Sequence, residues 1–296
     1  MDVKKVLNFL SILNLLDPLD VTQKLNNLLT DWFKLLPEGE VTNWAIGNHD
    51  QSRVATRFGP ERVDIFNTLV TMLPGTSVTY YGEEIGMEDS CVFYDQNHNN
   101  PGFRCTEVNQ PITDAKYRTP MQWDNSTNGG FTNSTRPWLP IGEKYQTVNV
   151  AAQTGLAGSH LEIYRSLQKM RKHDAIKNSN LKNFKIVTLT EDSFGFKREV
   201  EDVKKESVLV LINYGNKTES VSLDALELIG SSKEISLKIV GRNSELKIDS
   251  KMTIVNGTFV LAPYESIVAT YNHGMAAVFS NLLLISMIAV VGYFNF

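Results

Sequence analysis

Two groups of residues in this chain have the types and spacing for chemistry. Asn48-His49-Asp50 stands directly after a short apolar run, Val41 to Ile46. An imidazole beside a carboxylate can hold or move a proton, and side chains projecting from the end of a buried strand are where active-site groups sit in barrel and other α/β folds. By itself the triplet also suits a turn or a helix cap, because Asn and Asp bond readily to their own backbone. Glu83-Glu84 follows a later apolar run, Ser77 to Tyr81, and offers two adjacent acids, the equipment of a general acid and a general base. Arg53 and Arg57 lie just beyond the first group, as border charges of an entrance or as solvated charges flanking a helix. His98, His160, His173 and His273 have no partners at metal-ligand spacing, so neither a metal nor another cofactor is expected.

The elements that must position these groups can be read from periodicity. Val6 to Ile12 is a short apolar run suited to a buried strand, and Leu25, Leu28, Leu29, Trp32, Leu35 and Leu36 then recur at helical spacing. Val41 to Ile46 is the next strand. Val63, Phe66, Leu69, Val70 and Leu73 form one face of a helix that Pro60 precedes and Pro74-Gly75 stops. With Ser77 to Tyr81 as a third strand the order is β-α-β-α-β, which predicts a parallel sheet. Gly82 to about Ser159 is rich in Asn, Gly, Pro and Thr, longer than an ordinary connection and therefore of the length that carries function. A helix over Leu161 to Lys172 follows. Beyond about Asn178 the chain changes to short alternating segments, among them Phe184 to Leu189, Ser207 to Asn213, Ile235 to Val240 and Thr258 to Leu261, the pattern of an antiparallel β-domain.

Composition narrows the partners. With 42% apolar and 9% aromatic residues the 296-residue chain can bury a real core. Its 29 basic and 33 acidic side chains leave a net charge of −4, with no basic cluster interleaved with aromatics, so a nucleic-acid partner is not expected. Cys91 and Cys105, the two cysteines, are spaced for a local disulfide in an oxidising compartment, or for two unpaired thiols in a reducing one. Sequons occur at Asn125, Asn133, Asn216 and Asn256, although a chain this rich in Asn, Ser and Thr produces such triplets by chance. The run from Leu282 to Phe296 is almost wholly apolar, too short for an ordinary span and without a basic flank. Small residues near Asn272, a short spacer and that tail fit a signal for a GPI lipid anchor, with Asn272 as the attachment residue; a retained tail anchor and a tail buried in a core are the alternatives. Met1 to Leu16 carries no cleavable import signal, which suggests the end of a longer protein.

Three longer motifs carry a family resemblance. NWAIGNHDQSRVATRFG (Asn43 to Gly59), TLVTMLPGTSVTYYGEEIGM (Thr68 to Met87) and YRTPMQWDNSTNGGFT (Tyr117 to Thr132) closely resemble segments of α-glucosidases of the α-amylase superfamily, most of all membrane-anchored insect maltases. The resemblance implies the C-terminal part of a (β/α)8 barrel, about its strands 6 to 8, followed by an antiparallel β-sandwich. The corresponding division is a partial barrel over 1–177, a β-domain over 178–272 and a tail over 273–296.

The resemblance also implies a retaining glycosidase, in which one carboxylate attacks the anomeric carbon and another protonates the leaving oxygen. Asp50 would be the third acid of that family, holding the glucose hydroxyls with His49, and Arg118 would line the same glucose subsite, its planar donors suited to Asp50 and a hydroxyl together. Glu83 and Glu84 would be structural. Trp123, Phe131 and Tyr117 offer a sugar platform or a packed loop. The nucleophile and the acid belong to strands 4 and 5 of the family's barrel, so this chain alone is expected to be inactive towards maltose and related α-glucosides. A non-catalytic surface protein on the same fold is the competing expectation, either an amino-acid-transporter heavy chain or a lipid-anchored docking receptor with a bacterial toxin as partner.

Overall fold

The computed structural model describes residues 9–11, 21–37, 39–94, 101–102, 114–135, 137–177, 183–202, 204–224, 234–254 and 256–272. Its first part is a parallel sheet of three short strands, β1 (Phe9–Ser11), β2 (Asn43–Ala45) and β3 (Thr76–Val78), in that spatial order. Helix α1 (Val21–Leu35) connects the first two, while α2 (Val54–Phe58) and α3 (Val63–Met72) connect the second and third. The β-α-β-α-β order expected from periodicity is thus observed. The third strand starts one residue earlier and ends sooner than expected, because the chain turns away after Val78.

Local chemistry explains the boundaries. All ten residues of α3 are buried, not only the apolar face, because polar side chains on the other side find partners: Asp64 bonds His160, Asn67 donates to the Glu83 carbonyl and Thr68 meets the Ser266 hydroxyl. Pro74 lacks an N–H and drives Leu73 into extended backbone, so the helix stops there. Gly75 then takes φ +130° where a Cβ would stand 2.3 Å from the Thr42 carbonyl oxygen. Only glycine permits that close approach. The Trp44 indole, 1% exposed, donates to the Pro74 carbonyl at 2.8 Å and fastens β2 to the same turn.

The segment between β3 and the next long helix holds a short ladder of β4 (Phe93–Tyr94) with β5 (Pro101–Gly102), several turns, and the one-turn helix α4 (Val150–Gln153). Helix α5 (His160–Met170) follows, started by Ser159, whose hydroxyl accepts from the Glu162 N–H. It is succeeded by α6 (Asp174–Lys177).

The remaining strands are β6 (Phe184–Thr188), β7 (Ser193–Arg198), β8 (Ser207–Asn213), β9 (Glu219–Ser222), β10 (Glu234–Val240), β11 (Lys251–Thr253), β12 (Thr258–Leu261) and β13 (Ser266–Tyr271). Six of them form one antiparallel sheet in the order β11-β10-β13-β8-β7-β6, and β12 pairs with β9 separately. The central strand β8 is buried throughout, and its alternate side chains enter different cores. Val208, Val210 and Ile212 join Phe194, Phe196 and Val268 against α1, α3, α5 and α6. Leu209 and Leu211 face the other way and pack with Val221, Phe259 and Leu261 from the β9–β12 pair. The larger core therefore runs continuously from the helices into the antiparallel sheet.

Candidate active site

The carboxyl end of β2 leads into Gly47 and then Asn48-His49-Asp50. The Asn48 side-chain oxygen accepts the Asp50 N–H at 2.7 Å, a local Asx bond that bends the chain outward. Asp50 and His49 are consequently exposed, 64% and 67%, with Nε2 of His49 3.2 Å from Oδ2 of Asp50. Gly47 is buried beneath them, and a Cβ there would lie 2.6 Å from Oε1 of Glu83.

Arg118 arrives from the long loop. Its Nη2 stands 2.6 Å from Oδ1 of Asp50, and its Nε donates to the His49 carbonyl at 2.6 Å. Asp114 lies 4.0 Å from the same guanidinium. Asp50, His49 and Arg118 are therefore brought together at the carboxyl end of the parallel strands. The loop is anchored on both sides of Arg118: Tyr80 Oη donates to the Tyr117 carbonyl at 3.2 Å and Tyr81 Oη to the Thr119 carbonyl at 2.7 Å.

Arg53 is neither at an entrance nor solvated, contrary to the expectation for a helix-flanking charge. It is 2% exposed, with its guanidinium over the rings of Tyr80 and Tyr81 at 5.1 and 4.8 Å and its Nη1 donating to the Tyr81 carbonyl. Gly82, at φ +90°, allows this approach, since a Cβ would meet Nη1 at 2.7 Å. Arg57 is half-buried, donating to the Ile46 carbonyl, and burial pulls its pKa below the usual arginine value. Asp89, unmarked by any sequence signal except its nearness to Glu83-Glu84, accepts from the Ser52 hydroxyl and the Arg53 N–H and so holds the start of α2.

Glu83 and Glu84 do not face Asp50 as an acid and base pair. Glu83 is 3% exposed, accepts the Tyr80 N–H through Oε2, and is pushed up to about 8 by burial. Glu84 accepts the Gly82 N–H at 2.7 Å, and burial raises it too. Tyr117 is buried, leaving Trp123 and Phe131 as the exposed rings of the expected platform. His160, given no role from the sequence, bonds Asp64 through Nδ1 at 2.7 Å and meets Arg242 at Nε2, joining α3 and α5 to the antiparallel sheet.

Among the described residues no group of three His, Cys, Asp or Glu could hold a metal ion. The sequon residues Asn125, Asn133, Asn216 and Asn256 are exposed, as is Asn272 at the end of β13. Cys91 is described, but its expected partner Cys105 lies outside the described residues, as does the tail beyond Asn272. No helix among the described residues is long and apolar enough to cross a membrane.

Side chains gathered beyond the carboxyl ends of parallel strands, with helices between the strands, are how β/α enzymes of the barrel kind build their sites. Residues 13–179, more than half of the chain, match the family model described as alpha amylase, catalytic domain, and the chain belongs to that family. It is 35% identical over 247 residues to a salivary alpha-glucosidase of Anopheles gambiae, covering 82% of this chain and 40% of that protein. It is also 35% identical over 197 residues to the amino acid transporter heavy chain SLC3A1 of Rattus norvegicus, covering 66% and 26%. In structure it resembles Bacillus licheniformis trehalose-6-phosphate hydrolase with a TM-score of 0.66 at 24% identity, covering 86% of this chain and 47% of that one. The chain thus spans less than half the length of these relatives.

Proposed function

We propose that this chain carries the sugar-holding side of the active site of a retaining α-glucosidase that releases terminal α-linked glucose from maltose and related sugars. The observation that carries this reading is the meeting of Asp50, His49 and Arg118, whose Nη2 and Oδ1 are 2.6 Å apart. An ionised carboxylate accepts from two sugar hydroxyls while a guanidinium donates to a third group in the same plane, the complement of a glucose 2,3-diol. Such contacts strengthen as the ring flattens towards the oxocarbenium ion. The nucleophile and the acid would be supplied by family strands 4 and 5, with β1, β2 and β3 as strands 6 to 8. The six-stranded sheet and the β9–β12 pair, packed about a shared core, support a C-terminal β-sandwich over 178–272 after a partial barrel over 1–177.

The same reading puts the protein at the extracellular face of the plasma membrane, with a lipid anchor attached at Asn272 ahead of the 273–296 tail. Exposure of the four sequons supports it. The reading includes a Cys91–Cys105 disulfide, formed in the oxidising compartment that a cell-surface protein passes through. The non-catalytic alternative is a surface protein on the same fold, either a transporter heavy chain, which the likeness to one supports, or a toxin-docking receptor; the retained Asn48-His49-Asp50 and Arg118 favour the enzyme.

The test is a titration of the chain with glucose followed on the His49 imidazole. Saturable shifts, lost in Asp50→Asn, are expected, and no shift at any concentration would overturn the sugar-site reading. An assay with p-nitrophenyl α-glucoside addresses the chemistry. Turnover is expected only when the segment with the nucleophile and acid is supplied, and turnover by the 296-residue chain, abolished in Asp50→Asn, would turn attention to Glu83 and Glu84.

A further inference from the structure

Arg118 and Asp50 face solvent, and an exposed ion pair holds its own geometry weakly because two long side chains must be immobilised for a screened attraction. Besides the Arg118 Nε–H bond to the His49 carbonyl at 2.6 Å, the loop that carries this residue must be held for the guanidinium to be aimed. The carbonyls of the residues on either side of it, Tyr117 and Thr119, each accept a tyrosine hydroxyl, from Tyr80 at 3.2 Å and Tyr81 at 2.7 Å. Consecutive residues of a strand point to opposite faces. Here β3 has ended at Val78 and the chain has turned, so the two rings lie on one side with centroids 4.6 Å apart. Both rest on Arg53.

We infer that Tyr80 and Tyr81, stacked on the buried Arg53, are positioning residues that clamp the backbone around Arg118 and so aim its guanidinium at Asp50. Arg53 ties the two halves of the pair together. It stands three residues after Asp50, its N–H is fixed by Asp89 at 2.7 Å, and its Nη1 holds the Tyr81 carbonyl at 2.6 Å. The turn that presents Asp50 and the rings that hold the Arg118 loop therefore share one anchor. Burial pushes the Tyr81 hydroxyl well above its ordinary range, against the opposing effect of the Arg53 charge, so it stays a donor at every working pH. The inference rests on the sugar-site reading only for what the aimed guanidinium would hold.

The experiment uses the full chain with Tyr80→Phe and Tyr81→Phe, which remove one hydroxyl each and leave the ring on Arg53. The control is Tyr164→Phe, whose hydroxyl meets Thr79 at 2.7 Å and does not touch the Arg118 loop. The first readout is the Arg118 Nε–H resonance, identified by its absence in Arg118→Lys. Its exchange with water should quicken about fivefold in Tyr81→Phe, the size of one hydrogen bond's net contribution, and stay unchanged in Tyr164→Phe. The second is glucose affinity, which should fall about fivefold in Tyr81→Phe and fall no further when that change is added to Arg118→Lys. Wild-type exchange in both tyrosine variants would overturn the clamp, as would full additivity with Arg118→Lys. Should Tyr81→Phe fail to fold, Tyr80→Phe decides the matter from the Tyr117 side. If the wild-type chain does not bind glucose, the sugar-site reading fails while the Nε–H readout still judges the clamp.

Discussion

Nη2 of Arg118 stands 2.6 Å from Oδ1 of Asp50, a residue 68 positions away in the chain. Asp50 is 64% and Arg118 33% exposed, so the pair should matter far more to a ligand than to the fold. Arg118→Ala is expected to change the free energy of unfolding in urea by less than about 1 kcal/mol, the ceiling for an exposed pair. Glucose affinity in the same variant should fall about tenfold, as for a lost charge-assisted hydrogen bond. A large loss of stability would instead make Arg118 a structural strut.

Glu83 gives the fold a pH dependence of unusual sign for a carboxylate. Burial raises it to about 8 from an ordinary 4.5, so the folded state keeps a proton that the unfolded chain releases. Its contribution is fully present below pH 4.5 and is lost as the pH rises through about 8. The slope across that window approaches about 1.4 kcal/mol per pH unit. Glu83→Gln removes the titration while keeping the shape. The stability difference between wild type and this variant, measured by urea unfolding at pH 5 and pH 8, should shift in favour of the variant as the pH rises. A difference that stays constant would show that Glu83 titrates normally.

Arg198 on β7 is 1% exposed and donates to the carbonyls of Met72 and Ile176 at 3.0 and 3.1 Å, while Arg171 takes those of Thr71 and Gly75. Two cations thus close the carboxyl end of α3, where the helix dipole and unpaired carbonyls favour positive charge. Burial, with Arg171 nearby, lowers Arg198 to about 10, yet it remains charged at neutral pH. Arg198→Met should cost roughly 2–4 kcal/mol, because the buried carbonyls lose charged donors. A change below about 0.5 kcal/mol, the range of ordinary surface substitutions, would mean that water or a neighbour replaces it.

The antiparallel sheet buries one face on the helices, with Phe194, Phe196, Val208, Val210 and Ile212 all at 1% exposure or less. A fragment of residues 178–272 should therefore bind hydrophobic dyes and self-associate. A monomeric fragment with a cooperative melt close to that of the whole chain would show that the β9–β12 side alone sustains the sheet.

The order of the three parallel strands and of the long helices between them, and the seat of the Asn48–Asp50 turn, were legible in the residues alone. Those depend on signals within a few residues: apolar spacing in α1 and α3, the Pro74 stop and the Asx bond from Asn48. The family motifs nominated Arg118 as a companion of Asp50, but no local pattern says where a guanidinium carried on a long irregular loop will come to rest. Its resting place is set by contacts distant in the chain, the Tyr80 and Tyr81 hydroxyls and the Arg53 beneath them. Distant contacts likewise bury Arg53, which reads as a solvated charge, and give the antiparallel sheet a core shared with the helices. Both have one cause: a charge reads as solvated, and a β-segment as separate, until partners distant in the chain supply the ring faces, carbonyls and apolar contacts that make burial favourable.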